Sequence, residues 1–64
     1  MTYGEQIREA RRAKSWSQEE LARRLDVSSQ SVYGWERQGR IPRLIVRKAL
    51  YRLLGVEWPA DAKA

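Results

Sequence analysis

The stretch from residue 17 to residue 36 constrains the fold most, because it holds two short amphipathic segments separated by only three residues. Ser17 and Glu20 have the spacing of a capping box, which predicts that a helix begins there. Apolar side chains at one-face helical spacing continue it to about residue 25: Leu21, Ala22 and Leu25. Residues 26–28 then interrupt the pattern, and Asp26 tolerates the left-handed conformation that ends a helix.

The second segment is predicted to begin at Ser28 as N-cap, to run to about Gln38, and to stop at a left-handed Gly39. Its buried face comprises two apolar side chains and the stem of an acidic one: Val32, Trp35 and Glu36. Helices joined by so short a turn must pack nearly at right angles. The small side chain of Ala22 lies where the two helices cross.

Two further helices flank this pair. The first covers about residues 3–14, opens with a Thr2–Glu5 capping box, and has a narrow apolar stripe of Ile7, Ala10 and Ala13. The last opens with Pro42 in its first turn and ends before Gly55. Its core stripe is Val46, Leu50 and Leu54, with Ala49 and Leu53 beside it. In the tail from Val56, Trp58 is expected to fold back onto the core, with frayed residues after it.

Composition excludes several classes of function. The chain has neither cysteine nor histidine, so thiolate sites and the commonest general base are absent. We therefore expect no enzyme, no metal and no cofactor. Apolar runs such as residues 44–46 are far shorter than the roughly 20 residues that span a bilayer, and residues 1–5 do not resemble a signal peptide. A soluble protein inside the cell is expected.

Positive charge is concentrated in residues 37–56, which contain no acidic residue. The cations there are Arg37, Arg40, Arg43, Arg47, Lys48 and Arg52. Such a distribution is typical of a surface that binds a polyanion. A solvated basic helix would carry the same pattern, so charge alone does not decide between the two.

The segment SQEELARRLDVSSQSVYGWE, residues 17–36, resembles the helix-turn-helix of the Cro/phage-repressor family. The resemblance extends over residues 4–56 and includes IREARRAKSWSQEELA, WERQGRIP and LYRLLGV. It implies an all-α fold, a compact bundle of four to five short helices of the lambda-repressor-like type. The DNA-binding domain would cover residues 1–56, with helix 2 at about 18–25 and the recognition helix at about 29–38. Residues 57–64 would form a short C-terminal tail.

Three positions depart from the family pattern. Asp26 stands where the family usually has glycine, and Asp can adopt that geometry. Arg47 and Lys48 stand where the family usually has apolar residues. Arg47 and Lys48 leave open how the last helix packs against the core, or they indicate additional phosphate contacts.

In such proteins the recognition helix enters the major groove, and its N-terminal residues contact base edges. The positions that the resemblance assigns to base contacts are Ser28, Ser29, Gln30, Tyr33, Gly34 and Arg37. Gln30 can bind adenine N6 and N7 in a bidentate manner. Gly34 would let the duplex approach closely, Arg37 could reach a base or a phosphate, and Tyr33 is expected near the sugar-phosphate chain.

The phosphate contacts implied by the resemblance lie at the N terminus of helix 2 and among the arginines: Ser17, Gln18, Ser31, Arg40, Arg43 and Arg11. Gln18 would also brace the recognition helix. Arg11 and Glu36 are expected to form a structural ion pair that joins the first helix to the recognition helix. The tryptophans, Trp16, Trp35 and Trp58, are interpreted as packing residues rather than a platform for single-stranded bases.

The sequence thus favours specific binding of double-stranded DNA by a repressor-like regulator, or by an engineered binder on that scaffold. A bacterial or phage origin, a cytoplasmic, nucleoid-associated location, and a monomer or weak homodimer are expected. The alternative is a protein-interaction module such as an antitoxin-like docking subunit. Its apolar patch would comprise Tyr33, Leu44, Ile45 and Leu53.

Overall fold

The computed structural model describes residues 1–58 and contains four α-helices. They are α1 (Tyr3–Ala13), α2 (Gln18–Leu25), α3 (Ser29–Arg37) and α4 (Leu44–Leu54). Residues 1–58 contain no strand, so the all-α prediction is confirmed. The predicted frayed end of the chain, residues 59–64, lies outside the described residues.

Side-chain caps begin the first two helices as predicted, with one exception. The Thr2 hydroxyl accepts a hydrogen bond from the Glu5 amide, and the Glu5 carboxylate accepts one from the Thr2 amide, which completes that capping box. Ser17 caps α2 by accepting from the Glu20 amide. The predicted second capping box is wrong in its other half, the hydrogen bond from the Ser17 amide to the Glu20 carboxylate. That carboxylate instead pairs with two arginines one turn later, Arg23 at 3.0 Å and Arg24 at 2.8 Å.

The boundaries of α3 follow from local chemistry. The Ser28 hydroxyl accepts a hydrogen bond from the Ser31 amide at 3.2 Å, which makes Ser28 the N-cap. Asp26 ends α2 with φ 60° and ψ 43°, and Gly39 follows α3 with φ 71°. Both lie in the left-handed region, as the sequence predicted. The short turn between α2 and α3 thus runs from Asp26, the C-cap of α2, to Ser28, the N-cap of α3.

The start of α4 differs from its prediction. Pro42 lies two residues before the helix, and Arg43 occupies the N-cap with no side-chain hydrogen bond within the described residues. Pro42 is buried, and it lines the same cavity as Trp35 and Val46. Burial of the proline ring therefore places it in the connecting segment rather than in the first turn. The helix ends at Gly55 with φ 75°, as expected.

Each helix contributes one fully buried side chain to the centre of the core: Ile7, Leu21, Val32 and Leu50. The remaining core members are Tyr3, Ala22, Trp35 and Val56. Around them pack the partly buried residues Ala10, Trp16, Leu25, Val27, Val46, Leu53 and Leu54. The predicted stripes are correct except at Ala13, which is exposed because α1 ends there without a neighbouring helix to cover it.

The N terminus of α1 approaches the backbone of α3 closely. Gly4 is buried there, and a Cβ added to it would overlap the carbonyl oxygen of Trp35. Only glycine allows this approach without a shift of one helix. The contact fixes α1 against the C-terminal half of α3.

The chain after α4 returns to α1. The Trp58 ring meets the Tyr3 ring edge-on, with centroids 5.4 Å apart and an interplanar angle of 67°. The Arg47 guanidinium lies over Trp58 at 5.7 Å. Trp58 therefore folds back as predicted, although 42% of it remains exposed. Arg47, one of the departures from the family pattern, packs at the edge of this aromatic pair.

Candidate nucleic-acid interface

α3 has one buried and one exposed side. Val32, Trp35 and Glu36 face the core. Gln30, Tyr33 and Arg37 are exposed and follow one another at intervals of three and four residues, which places them on one face of the helix. We call these three residues the recognition ridge. They belong to the set predicted to meet bases, and the structure brings them together on the outside of the molecule.

The serines at the start of α3 have less hydrogen-bonding capacity available for a ligand than Gln30 has. The Ser28 hydroxyl caps the helix and lies 3.1 Å from the Ser31 hydroxyl, so much of its bonding capacity is used within the protein. Ser29 is half-buried. Gln30 is exposed, and its amide makes no hydrogen bond to any other described residue. Among the three predicted tip residues, Gln30 therefore has the most bonding capacity available for a base edge.

Gly34 does not lie open to solvent, and the close approach of a duplex at this position stays a prediction. It is buried, and a Cβ built at this position would lie 3.0 Å from Cδ and 3.6 Å from Cγ of Arg40. The Arg40 amide donates a hydrogen bond to the Gly34 carbonyl at 3.1 Å. The side chain of Arg40 therefore covers the surface that the missing side chain of Gly34 would occupy.

A buried polar network holds α3 in place. Arg11 binds the Glu36 carboxylate through two nitrogens, Nε to Oε2 at 2.8 Å and Nη2 to Oε1 at 3.0 Å. Its Nη1 donates to the Trp16 carbonyl at 2.7 Å, and Gln18 Nε2 donates to Glu36 Oε1 at 3.1 Å. The predicted ion pair and the predicted brace from Gln18 are both present. One carboxylate of α3 is thus bound from α1 and from α2.

The same network limits what Arg11 can do. Its side chain is 11% exposed, and all three guanidinium nitrogens donate to protein oxygens. Little of the group remains for the phosphate contact that the sequence suggested. Arg11 acts on α3 as a positioning residue.

The helix N termini offer unequal surroundings for an anion. The first turn of α2 contains Glu19 and Glu20, whereas the first turns of α3 and α4 contain no acidic residue. Glu19 is exposed and makes no ion pair with any other described residue, so its negative charge opposes a phosphate at this end. At α2, Ser17 and Gln18 already bond within the protein. The dipole ends of α3 and α4 are the more favourable positions for an anion.

Three of the predicted phosphate residues meet between α3 and α4. Ser31, Arg40 and Arg43 line one surface cavity of about 230 Å³. Arg40 and Arg43 are exposed, and neither pairs with an acidic residue among those described. An acid-free basic patch therefore adjoins the recognition ridge.

Comparison with models of protein families identifies the family to which the chain belongs. A family model described as helix-turn-helix matches residues 7–59, most of the chain. The chain belongs to the helix-turn-helix family. No curated protein and no solved structure gave a significant match. The family match agrees with the fold, because α2 and α3 with the turn between them form the helix-turn-helix unit.

The helix-turn-helix assignment makes this a DNA-binding regulator of the Cro/phage-repressor type. None of the four described helices is long and apolar enough to cross a bilayer. Within residues 1–58, acidic side chains form no cluster that could hold a metal ion.

The tryptophans of the helix-turn-helix domain differ in exposure. Trp35 is buried, and Trp16 packs against the core with Arg24 over its ring at 4.3 Å and Lys14 at 5.6 Å. Trp58, described above, caps Tyr3. All three pack against the protein as predicted.

The outward face of α4 is more apolar than the sequence analysis proposed. Leu44, Ile45 and Tyr51 are 59%, 70% and 54% exposed. Leu44 and Tyr51 border a groove of about 440 Å³ that ends at Trp58. The same groove is bordered by three cations: Arg47, Lys48 and Arg52. Leu53, which the sequence analysis placed in such a patch, packs instead against the core. Tyr51 was missed, although it follows Leu44 by seven residues and so shares its face.

Proposed function

We propose that this domain binds double-stranded DNA sequence-specifically, with α3 in the major groove, as a repressor-like regulator. The observation that carries the proposal is the recognition ridge on a helix whose angle is set by the buried Arg11–Glu36–Gln18 network. A short polar helix held rigidly beside a basic patch suits both base reading and phosphate binding. The domain would act by binding, without catalysis.

Each part of the interface has a proposed role. Gln30 reads a base edge, and an adenine fits its amide because both groups offer one donor and one acceptor. Ser29 and Arg37 extend the contact on either side, and Tyr33 lies against the sugar-phosphate chain. Ser31 and Arg43, which line the same cavity near the start of α4, bind phosphate. Ser17 and Gln18 contribute weaker phosphate contacts at α2.

Selection from a pool of random duplexes, followed by sequencing of the bound fraction, tests the proposal. We expect one short motif if the domain binds as a monomer and a palindrome if it binds as a dimer. Recovery of unselected sequence at moderate salt would show that binding is not specific. If no duplex raises the melting temperature of the domain, the protein-docking alternative gains support.

Substitution of Gln30 separates base reading from phosphate binding. We expect Gln30→Ala to lose about 1–3 kcal/mol on the selected duplex and to relax preference at a single base pair. Arg43→Ala is the matched control, and it should weaken binding to all duplexes alike and lower the salt dependence by about one unit. Affinities are measured by fluorescence anisotropy across a salt series. Equal losses on every duplex for Gln30→Ala would contradict its base-reading role.

The biological setting follows from the same proposal. A regulator of this kind acts in the cytoplasm in association with the nucleoid, and a bacterial or phage source fits the family. A natural regulator and a binder engineered on this scaffold would use the same surface.

A further inference from the structure

We infer that Arg40, in the turn after α3, reads a base from the groove-facing position that Gly34 leaves without a side chain. The inference rests on the proposed function, since it adds one base-reading residue to the recognition ridge. Position 34 follows Gln30 by one helical turn and lies three residues before Arg37. It therefore lies beside the ridge on the same side of α3, although Gly34 itself is buried beneath the side chain of Arg40.

The geometry fixes the stem of Arg40 over this position. Its backbone amide donates to the Gly34 carbonyl at 3.1 Å, and Gly39, with φ 71°, turns the chain back along α3. Cδ of Arg40 lies only 3.0 Å from where a Cβ of residue 34 would be. An alanine there would compete with the stem for the same space. Alanine at 34 would therefore require the flexible stem of Arg40 to shift by a few tenths of an ångström.

The far end of Arg40 remains available. The residue is exposed, and its guanidinium makes no hydrogen bond or ion pair with the other described residues. A guanidinium carries donors in a planar fork, which matches O6 and N7 of guanine. Residues 30 and 34 are about 6 Å apart along the helix, so Gln30 and Arg40 would address nearby base pairs. The family resemblance implied a phosphate contact for Arg40, a role that a lysine would fill equally well.

A double-substitution cycle tests this assignment. Arg40→Ala, Gly34→Ala, the double variant and Arg40→Lys are compared on the selected duplex and on each of its single base-pair variants. For Arg40→Ala we expect about a tenfold or greater loss on the selected duplex and lost discrimination at one base pair other than the one Gln30 reads. Gly34→Ala should give a smaller loss at the same base pair, and the double variant should lose no more than Arg40→Ala alone.

Two further variants separate base reading from general attraction. Arg40→Lys should remain deficient at that base pair, because an ammonium cannot make the bidentate contact. Arg43→Ala should weaken every duplex equally and leave discrimination intact. Circular dichroism and melting temperatures confirm that each variant is folded. If Gly34→Ala does not fold, the comparison of alanine and lysine at position 40 still decides the matter.

The outcomes that overturn the inference differ from those that overturn the proposed function. Uniform loss across all duplexes with Arg40→Ala, restored by Arg40→Lys, would make Arg40 a phosphate contact. Losses that add in the double variant would show that Gly34 does not act through Arg40. In both cases Gln30→Ala would still alter one base pair, and the proposed function would stand. Absence of any preference in the unsubstituted protein would overturn the proposed function itself.

Discussion

Tyr3 carries a polar group into the core of this domain. The residue is 4% exposed, and its hydroxyl is buried without a hydrogen-bond partner among the described residues. Burial raises the pKa of Tyr3 above its ordinary value, and the positive charge of Arg47 opposes part of that rise. The folded protein therefore favours the neutral phenol. Ionisation of this one side chain works against folding.

Alkaline solution should expose this effect. Since the folded pKa is raised, Tyr3 leaves stability unchanged below the ordinary tyrosine pKa of about 10. Stability should fall as the pH rises from there through the folded pKa, because the unfolded chain ionises first. Tyr3→Phe removes this contribution. Between about pH 8 and about pH 11 the variant should therefore lose less of its free energy of unfolding than the original protein, as measured by urea unfolding at each pH.

Tyr51→Phe is the matched control, because it removes the hydroxyl of a tyrosine that is 54% exposed rather than buried. Near neutral pH we expect Tyr3→Phe to be as stable as the original protein or more so, because it removes an unsatisfied buried hydroxyl. Parallel alkaline losses in the original protein and in Tyr3→Phe would contradict the role of Tyr3.

At the scale of the elements, the turn between α2 and α3 depends on one strained residue. Asp26 adopts φ 60° and ψ 43°, a conformation that costs most L-residues about 1–2 kcal/mol and aspartate less. Asp26→Gly should therefore maintain or slightly raise the free energy of unfolding. Asp26→Ala should lower it by about 1 kcal/mol, as followed by thermal or urea unfolding.

A glycine introduced at a helix end with negative φ provides the comparison for Asp26. Lys14 follows α1 with φ −95°, so Lys14→Gly should lower stability through the flexibility of the unfolded chain. If glycine and alanine at position 26 gave equal stability, the backbone conformation of Asp26 would not be the controlling factor.

The starts of α1, α2 and α3 could be predicted because their causes are local, unlike the start of α4. Thr2, Ser17 and Ser28 each bond an amide three residues away, so the sequence alone contains the interacting pair. The Arg11–Glu36 pair joins distant parts of the chain and was expected only through the family resemblance. Periodicity placed the inner faces of α2 and α3 correctly for the same local reason.

The return of Trp58 to the core was predicted, but the residues that meet where the chain turns back were not. Periodicity does not show which distant segment covers a face, so the burial of Tyr3 under Trp58 was missed. The cover that Arg40 provides for Gly34 was missed because it depends on the path of the turn after α3. The candidate site was therefore predicted along α3, but the residues that supplement that helix emerged only from the fold.

At the scale of the whole molecule, the outward face of α4 exposes apolar side chains, and we propose it as the surface through which copies of the domain would meet. Its exposed apolar side chains favour contact, while Lys48 and Arg52 border the same groove. A twofold contact brings two copies of this groove together, and its lining contains three cations and one acid, Glu57, so positive charge would meet positive charge. The charges should keep association weak. We propose a monomer or a weak homodimer on this basis.

Salt should then promote association through α4. Added salt screens repulsion between cations and leaves apolar contact in place, so sedimentation equilibrium should show more dimer at about 1 M salt than at about 0.1 M. Lys48→Glu should strengthen association, and Tyr51→Ala should weaken it. Arg12→Glu on α1 makes the same change in net charge elsewhere and should have a smaller effect. A dimer that is strongest at low salt would contradict this account.

The close approach at Gly4 gives the first turn of α1 influence over a distant part of the chain. Even a single methyl group there would collide with the backbone of Trp35, and α3 would have to tilt or shift to make room. Such a shift would misalign the ridge with the bases, since displacements of an ångström matter in recognition. A mutational scan scored only by DNA affinity would therefore rank position 4 among the reading residues, although glycine has no side chain with which to read.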